Sequence, residues 1–94
     1  MIQLNEKDNV AVAVEDCTPG QEIPIKAPSS VGDYTVVSVS EIPFGHKCAL
    51  REIKAGEIIV KYGRPIGRAT ADIRKGEVVG VHNMEGMRGR GDKE

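Results

Sequence analysis

Ile53-Lys54-Ala55-Gly56-Glu57-Ile58-Ile59-Val60 is answered twenty residues later by Ile73-Arg74-Lys75-Gly76-Glu77-Val78-Val79-Gly80. In each copy the glycine can supply positive φ at a turn that leads into an apolar strand. A looser third copy, Thr18-Pro19-Gly20-Gln21-Glu22-Ile23, lies nearer the start of the chain. Two or three copies at unequal spacing fall short of a solenoid. The repeat is therefore expected to be scaffold, a glycine turn reused to launch strands of one small domain.

The flanking sequence agrees with that reading. Val10, Val12 and Val14 recur at period two, the alternation of a half-buried strand. Residues 34–42 are rich in β-branched types, with Val37 and Val39 on one face and Val36 and Ser38 on the other. Further strands are expected over 58–62, 66–70 and 78–82, divided by Gly63-Arg64-Pro65 and the second glycine turn. The segment from His46 to Ile53 also reads as a strand, since Ala49, Leu50 and Ile53 would make only about two turns of helix. Short strands at near-regular spacing with turn residues between them predict an all-β fold, a small barrel or clip. One domain over 1–83 is expected, followed by a flexible tail over 84–94 that carries glycines and alternating charges without apolar periodicity.

Composition narrows the function. The chain has 94 residues, enough for one domain. A chain this short buries a small fraction of its surface, so a deep private cleft is not expected, and any chemistry would lend groups to a site shared with a partner. Thirteen basic and fourteen acidic side chains leave a formal charge of −1. That balance offers no basic surface for phosphates, and Tyr34, Phe44 and Tyr62 are the only aromatics, so nucleic-acid binding is not expected. No apolar run approaches the roughly 20 residues that span a bilayer, and the first residues lack a basic-then-apolar leader. Cys17 and Cys48 are isolated from each other and form no C-x-x-C pair. The expectation is a cytoplasmic protein with reduced thiols.

Chemistry-bearing residues are few. The two histidines lie just outside the repeat: His46 follows a Pro43-Phe44-Gly45 turn, and His82 closes the second copy beside Asn83. An imidazole at either place can transfer a proton near neutral pH or ligate a metal. Two histidines do not complete a metal site, so further ligands would have to come from elsewhere. Asn83 has the donor and acceptor to bind a polyol hydroxyl. Lys47, Arg51, Lys61 and Arg68 are candidates for an anionic substrate. His46 and Cys48 share a face if their segment is a strand, which leaves a Cys–His nucleophile open as a remote option.

The ordered set Ile42-Pro43-Phe44-Gly45-His46-Lys47-Cys48-Ala49-Leu50-Arg51-Glu52-Ile53, Gly56-Glu57, Lys61-Tyr62-Gly63, Ile66-Gly67, Ile73, Gly76-Glu77 and His82-Asn83 resembles the SAF domain of the altronate and galactarate dehydratase family. The resemblance runs from about Val10 to Asn83. It implies a small SAF-type β-clip that accompanies a much larger catalytic portion. Because the chain ends soon after the His-Asn pair, it reads as a separate small subunit, the division also found in the related sulfolactate sulfo-lyase.

The implied reaction is elimination from a 2-hydroxy acid, with loss of water from a sugar acid or of sulfite from a sulfonate. The resemblance further implies a divalent metal, iron or manganese, held mainly by the large subunit. It points to His46 and His82 as catalytic or ligating groups and to Lys47 and Asn83 as substrate contacts, to which Arg51 is added on its charge alone. A stand-alone module for carbohydrate acids, a homo-oligomer and a structural assembly factor are the other readings. The absent leader argues against the assembly factor.

Overall fold

The computed structural model describes residues 1–86. Among these residues there is no helix, and none long and apolar enough to cross a membrane. Eight short strands follow in order: β1 (Val10–Val12), β2 (Glu22–Ile25), β3 (Tyr34–Val37), β4 (Lys47–Ala49), β5 (Ile58–Lys61), β6 (Arg64–Ala69), β7 (Val78–Val79) and β8 (Met84–Gly86). They pair only antiparallel, as a central sheet β1-β4-β7, a ribbon β2-β3, and a second sheet β5-β6-β8. The fold is all-β, as the repeat indicated.

The central sheet is a middle layer. Its register sets Ala11 opposite Cys48 and Cys48 opposite Val78, and these three face a cluster with Ile23, Ile25, Val36, Ile42 and Leu50. The opposite face carries Val10, Ala49 and Val79 into a second cluster with Ile53, Ile59, Ala69 and Ile73. Ile42, Ile53, Ile59 and Ile73 have no exposed surface. Each such side chain contributes about 1.5–3 kcal/mol by leaving water. Asn9, also fully buried, ties the start of β1 to β5: its Nδ2 donates to the Ile58 carbonyl and its Oδ1 accepts the Val60 N–H.

The glycine turn occurs four times rather than three. Cys17, Ile42, Ile53 and Ile73 are all buried, and each is followed three residues later by a left-handed glycine, Gly20, Gly45, Gly56 or Gly76, at φ 86–90°. In each copy the residue after the glycine donates its N–H back across the turn: Gln21 to Thr18, His46 to Pro43, Glu57 to Lys54 and Glu77 to Arg74. In each copy the glycine N–H and the next carbonyl also pair with one small buried residue of another segment. Those residues are Ser38, Ala13, Ala69 and Ala49 in turn. The copies then face each other in two antiparallel bridges, Cys17 with Ile42 and Ile53 with Ile73.

Three copies carry a side-chain cap. Gln21, Glu57 and Glu77 accept the N–H of Thr18, Lys54 and Arg74 at 2.9–3.0 Å. In the fourth copy Pro43 occupies the donor position and has no N–H to cap. The capping position there is His46. The missing donor frees the imidazole from the turn.

Several boundaries differ from the sequence reading: β3 ends at Val37 within the expected 34–42 stretch, β4 covers only 47–49 of 46–53, and Arg64-Pro65, expected to divide two strands, begin β6. The strand expected over 78–82 stops at Val79, and Gly80–Asn83 forms a turn in which the Asn83 N–H donates to the Gly80 carbonyl. Met84–Gly86, assigned to the tail from composition, forms β8 on β6, with Met84 opposite Ala69 and Gly86 opposite Gly67. Three residues are too few to show a period, and of them only Met84 packs against the second core cluster. The rest of the expected tail, 87–94, lies outside the described residues.

Candidate functional site

His46 and His82 line one concavity. His46 follows the left-handed Gly45, and its carbonyl accepts the Ala13 N–H, so its backbone is fixed to the chain beyond β1. Lys47 begins β4 between Val12 and Val79. His82 stands on the Gly80–Asn83 turn that follows β7, the other neighbour of β4. Antiparallel pairing of β4 with β7 therefore brings the two histidine turns to one end of the central sheet. Together with Gly45 and residues 78–81 they enclose an open pocket of about 380 Å³.

The pocket is basic. Its wall includes Lys47, His46 and His82 and no carboxylate. Lys47 is half-buried, and its ammonium is held below its ordinary value by desolvation first and by the nearby Lys61 second. An incoming carboxylate or sulfonate would relieve both costs, because an opposite charge favours the charged form. Both imidazoles are exposed and therefore available to a bound molecule.

Asn83 does not present its amide to this pocket. It is 3% exposed, its Oδ1 accepts the Gly80 N–H at 2.9 Å and its Nδ2 donates to the Val78 carbonyl at 3.0 Å. Through these two bonds Asn83 shapes the turn that carries His82. Arg51 is also not among the pocket residues. It pairs with Glu57 at 2.9 Å, and it lines a different hollow with Tyr34 and Asp8. The Cys–His option closes as well. Cys48 has no exposed surface, and burial, followed by the neighbouring Cys17, pushes its thiol up to about 11, away from a nucleophilic thiolate.

Among the described residues no group of three or more His, Cys, Asp or Glu side chains is placed to hold a metal ion. Two imidazoles are fewer than the three protein ligands usual at a catalytic zinc.

The fourth turn, not among the three expected copies, carries its own signal in the sequence. Ile42-Pro43-Phe44-Gly45-His46 has the same Ile-x-x-Gly-polar spacing as Ile53-Lys54-Ala55-Gly56-Glu57. The match is hidden because histidine replaces glutamate and proline replaces lysine. Those two differences are what distinguish the site-bearing turn from its scaffold copies.

Known proteins resemble this chain over most of its length. Residues 1–87 match the family model described as the altronate/galactarate dehydratase SAF domain. Altronate dehydratase of Escherichia coli is 43% identical over 82 residues, which are 87% of this chain and 15% of that protein. Altronate dehydratase of Bacillus subtilis is 39% identical over 84 residues, 89% of this chain and 16% of that protein. The chain thus spans about one sixth of the length of these dehydratases. (2R)-Sulfolactate sulfo-lyase subunit alpha of Paracoccus pantotrophus is 37% identical over 60 residues, 64% of this chain and 90% of that subunit. With nearly all of its length inside the family model, the chain belongs to the altronate/galactarate dehydratase SAF domain family.

Proposed function

We propose that this chain is the small component of a hydro-lyase acting on a sugar acid of the altronate or galactarate type. It forms one wall of an elimination site whose other wall belongs to a large catalytic chain. The observation that carries this reading is the convergence of His46, Lys47 and His82 on one shallow basic pocket. A pocket so open cannot exclude water, and its donor set is incomplete for metal binding. The dehydratase relatives support the same view, since most of their length lies beyond the region this chain matches.

In such an elimination the C–H proton beside the carboxylate passes to a base, and the hydroxyl of the neighbouring carbon takes a proton and departs as water. Lys47 holds the carboxylate by charge. One imidazole takes or relays the C–H proton, and the other lies within the same pocket to protonate the leaving group. A divalent cation, iron or manganese, would draw its ligands mainly from the large chain. The cytoplasm suits this role, with both thiols free and buried.

A second reading, the small subunit of a sulfolactate sulfo-lyase, is favoured by one observation. The match spans 90% of the Paracoccus subunit. The same basic pocket would take the sulfonate.

The test is reconstitution with the large lyase chain from the same source, assayed on altronate, galactarate and sulfolactate. His46→Ala and His82→Ala are expected to lower kcat about 100-fold or more, the scale of general acid–base catalysis. Lys47→Gln should raise KM. Full turnover in both histidine variants would remove them from the chemistry. Binding of sugar acids by the isolated chain, with no association with a large chain, would instead identify a stand-alone module.

A further inference from the structure

Two segments of this small domain alternate the wrong way for a free surface. In β1 and the residue pair after it, Ala11 and Ala13 point into the core while Val12 and Val14 face outward, Val14 being 64% exposed. In the N-terminal segment Gln3 is buried and Ile2 and Leu4 stand out at 54% and 60%. Gln3 is held inward by Tyr34, whose hydroxyl donates to its Oε1 at 2.6 Å, and by donation of its own Nε2 to the Asn5 carbonyl. Solvent alone would select small or polar residues outward and large apolar ones inward.

The four outward side chains meet Tyr62 in a groove of about 230 Å³ that no charged residue lines. Tyr62 reaches it from a left-handed backbone, φ 57°, in the two-residue turn between β5 and β6. Asn or Gly is the usual occupant of that position, and an aromatic residue there is an uncommon cost in local strain. Lys61 lies over the Tyr62 ring at 5.0 Å and gives the groove a basic rim.

The groove is continuous with the histidine pocket. Val12 of the groove and Lys47 of the pocket are directly paired across β1 and β4, and Lys47 is paired in turn with Val79, another pocket residue. Residues paired in this way point to one face of a sheet. Whatever closes the pocket over the histidines therefore passes across Val12 into the groove.

We propose that this apolar groove is the seat of the large catalytic chain, and that docking there is what aligns the missing wall of the site with His46, Lys47 and His82. The inference rests on the proposed function above. Its occupant presents an apolar ridge to Ile2, Leu4, Val12, Val14 and Tyr62, with an acidic or polar margin toward Lys61.

The experiment measures binding of the large lyase chain to the full-length small chain by titration calorimetry and co-purification. Leu4→Lys and Val14→Lys, both at exposed positions, are compared with Val37→Lys, an exposed valine on β3 outside the groove. The groove variants are expected to keep the wild-type melting temperature yet lose tenfold or more in affinity, while Val37→Lys binds as wild type. Groove variants that bind as wild type would overturn the docking site and leave the small-subunit reading standing. So would a self-associating wild type that Val14→Lys returns to monomer with its affinity for the large chain unchanged. A wild-type chain that fails to bind the large chain at all would overturn the functional reading, and the docking site with it.

Discussion

Cys48 lies in the first core cluster with no exposed surface, and its thiol is held at about 11 against an ordinary 9.0 because a thiolate there would lose its hydration. The unfolded chain loses that proton first as pH rises past 9, so the folded state loses stability from pH 9 until it levels above 11. Lys47 acts in the opposite sense: its lowered value makes the folded chain gain stability as pH climbs toward 10.5. Comparing wild type with Cys48→Ala isolates the thiol, and the variant's stability should fall less steeply over pH 9–11 in urea titrations. Neither Cys17 nor Cys48 should react with a thiol reagent at neutral pH until denaturant is added. Asn83 makes a different demand on its surroundings. Asn83→Ala strips the partners from the Gly80 N–H and the Val78 carbonyl, so a loss of about 1–3 kcal/mol is expected. Because that turn carries His82, turnover of the reconstituted complex should fall as well, whereas Arg51→Ala, which breaks a surface ion pair with Glu57 and an exposed hydrogen bond to the Glu52 carbonyl, should change stability by less than about 1 kcal/mol.

At the scale of elements, the four glycine turns form a series in which three copies are capped and one is not. The caps join a carboxylate or amide oxygen to the first N–H of the turn, and Pro43 removes that donor in the copy that ends at His46. Pro43→Lys with His46→Glu would rebuild the pattern of residues 53–57. Melting temperature should then hold or rise, by about 1 kcal/mol of added hydrogen bonding, while turnover is lost. A double variant that retained turnover would show that the imidazole does no more than fill a turn position. The glycines themselves are not equivalent. A Cβ at Gly20 would meet nothing within 4 Å, whereas one at Gly76 would run into the Val37 carbonyl oxygen. Gly76→Ala should therefore cost more than Gly20→Ala, whose penalty is only the left-handed backbone, about 1–2 kcal/mol.

The same series explains what could be read beforehand. Gly56-Glu57 and Gly76-Glu77 announce themselves because their caps are acidic and their strands apolar, and the all-β class follows from them. Val36 and Ser38 fall inside and Val37 and Val39 outside, as β-strand alternation indicates. The histidine pocket was only half legible: proximity of His46 and His82 depends on β4 pairing with β7, a long-range register that no local pattern encodes. The burial of Asn83 and the outward face of Val12 and Val14 were not legible at all. Alternation gives two faces but does not say which one meets the core.

For the molecule as a whole, the decisive arrangement is that both core clusters are built on the two faces of one sheet. Ile42 belongs to the first cluster and Ile73 to the second, yet each rests on side chains from β1, β4 and β7. Separate melting of either cluster would leave that sheet exposed on one face, so the two should unfold together. Truncation of a fully buried isoleucine to alanine costs about 2–5 kcal/mol, a large share of the roughly 5–15 kcal/mol that holds an ordinary domain. Ile42→Ala and Ile73→Ala should each lower one shared thermal transition followed by circular dichroism, with hydrogen exchange accelerated on both faces of the central sheet in either variant. A biphasic melt, or exchange confined to the mutated side, would mean that β1-β4-β7 does not couple them. That coupling also bears on the site, because Lys47 sits on β4 and both histidine turns leave the ends of β4 and β7. A loss of packing on either face should therefore weaken the reconstituted complex before the chain itself unfolds.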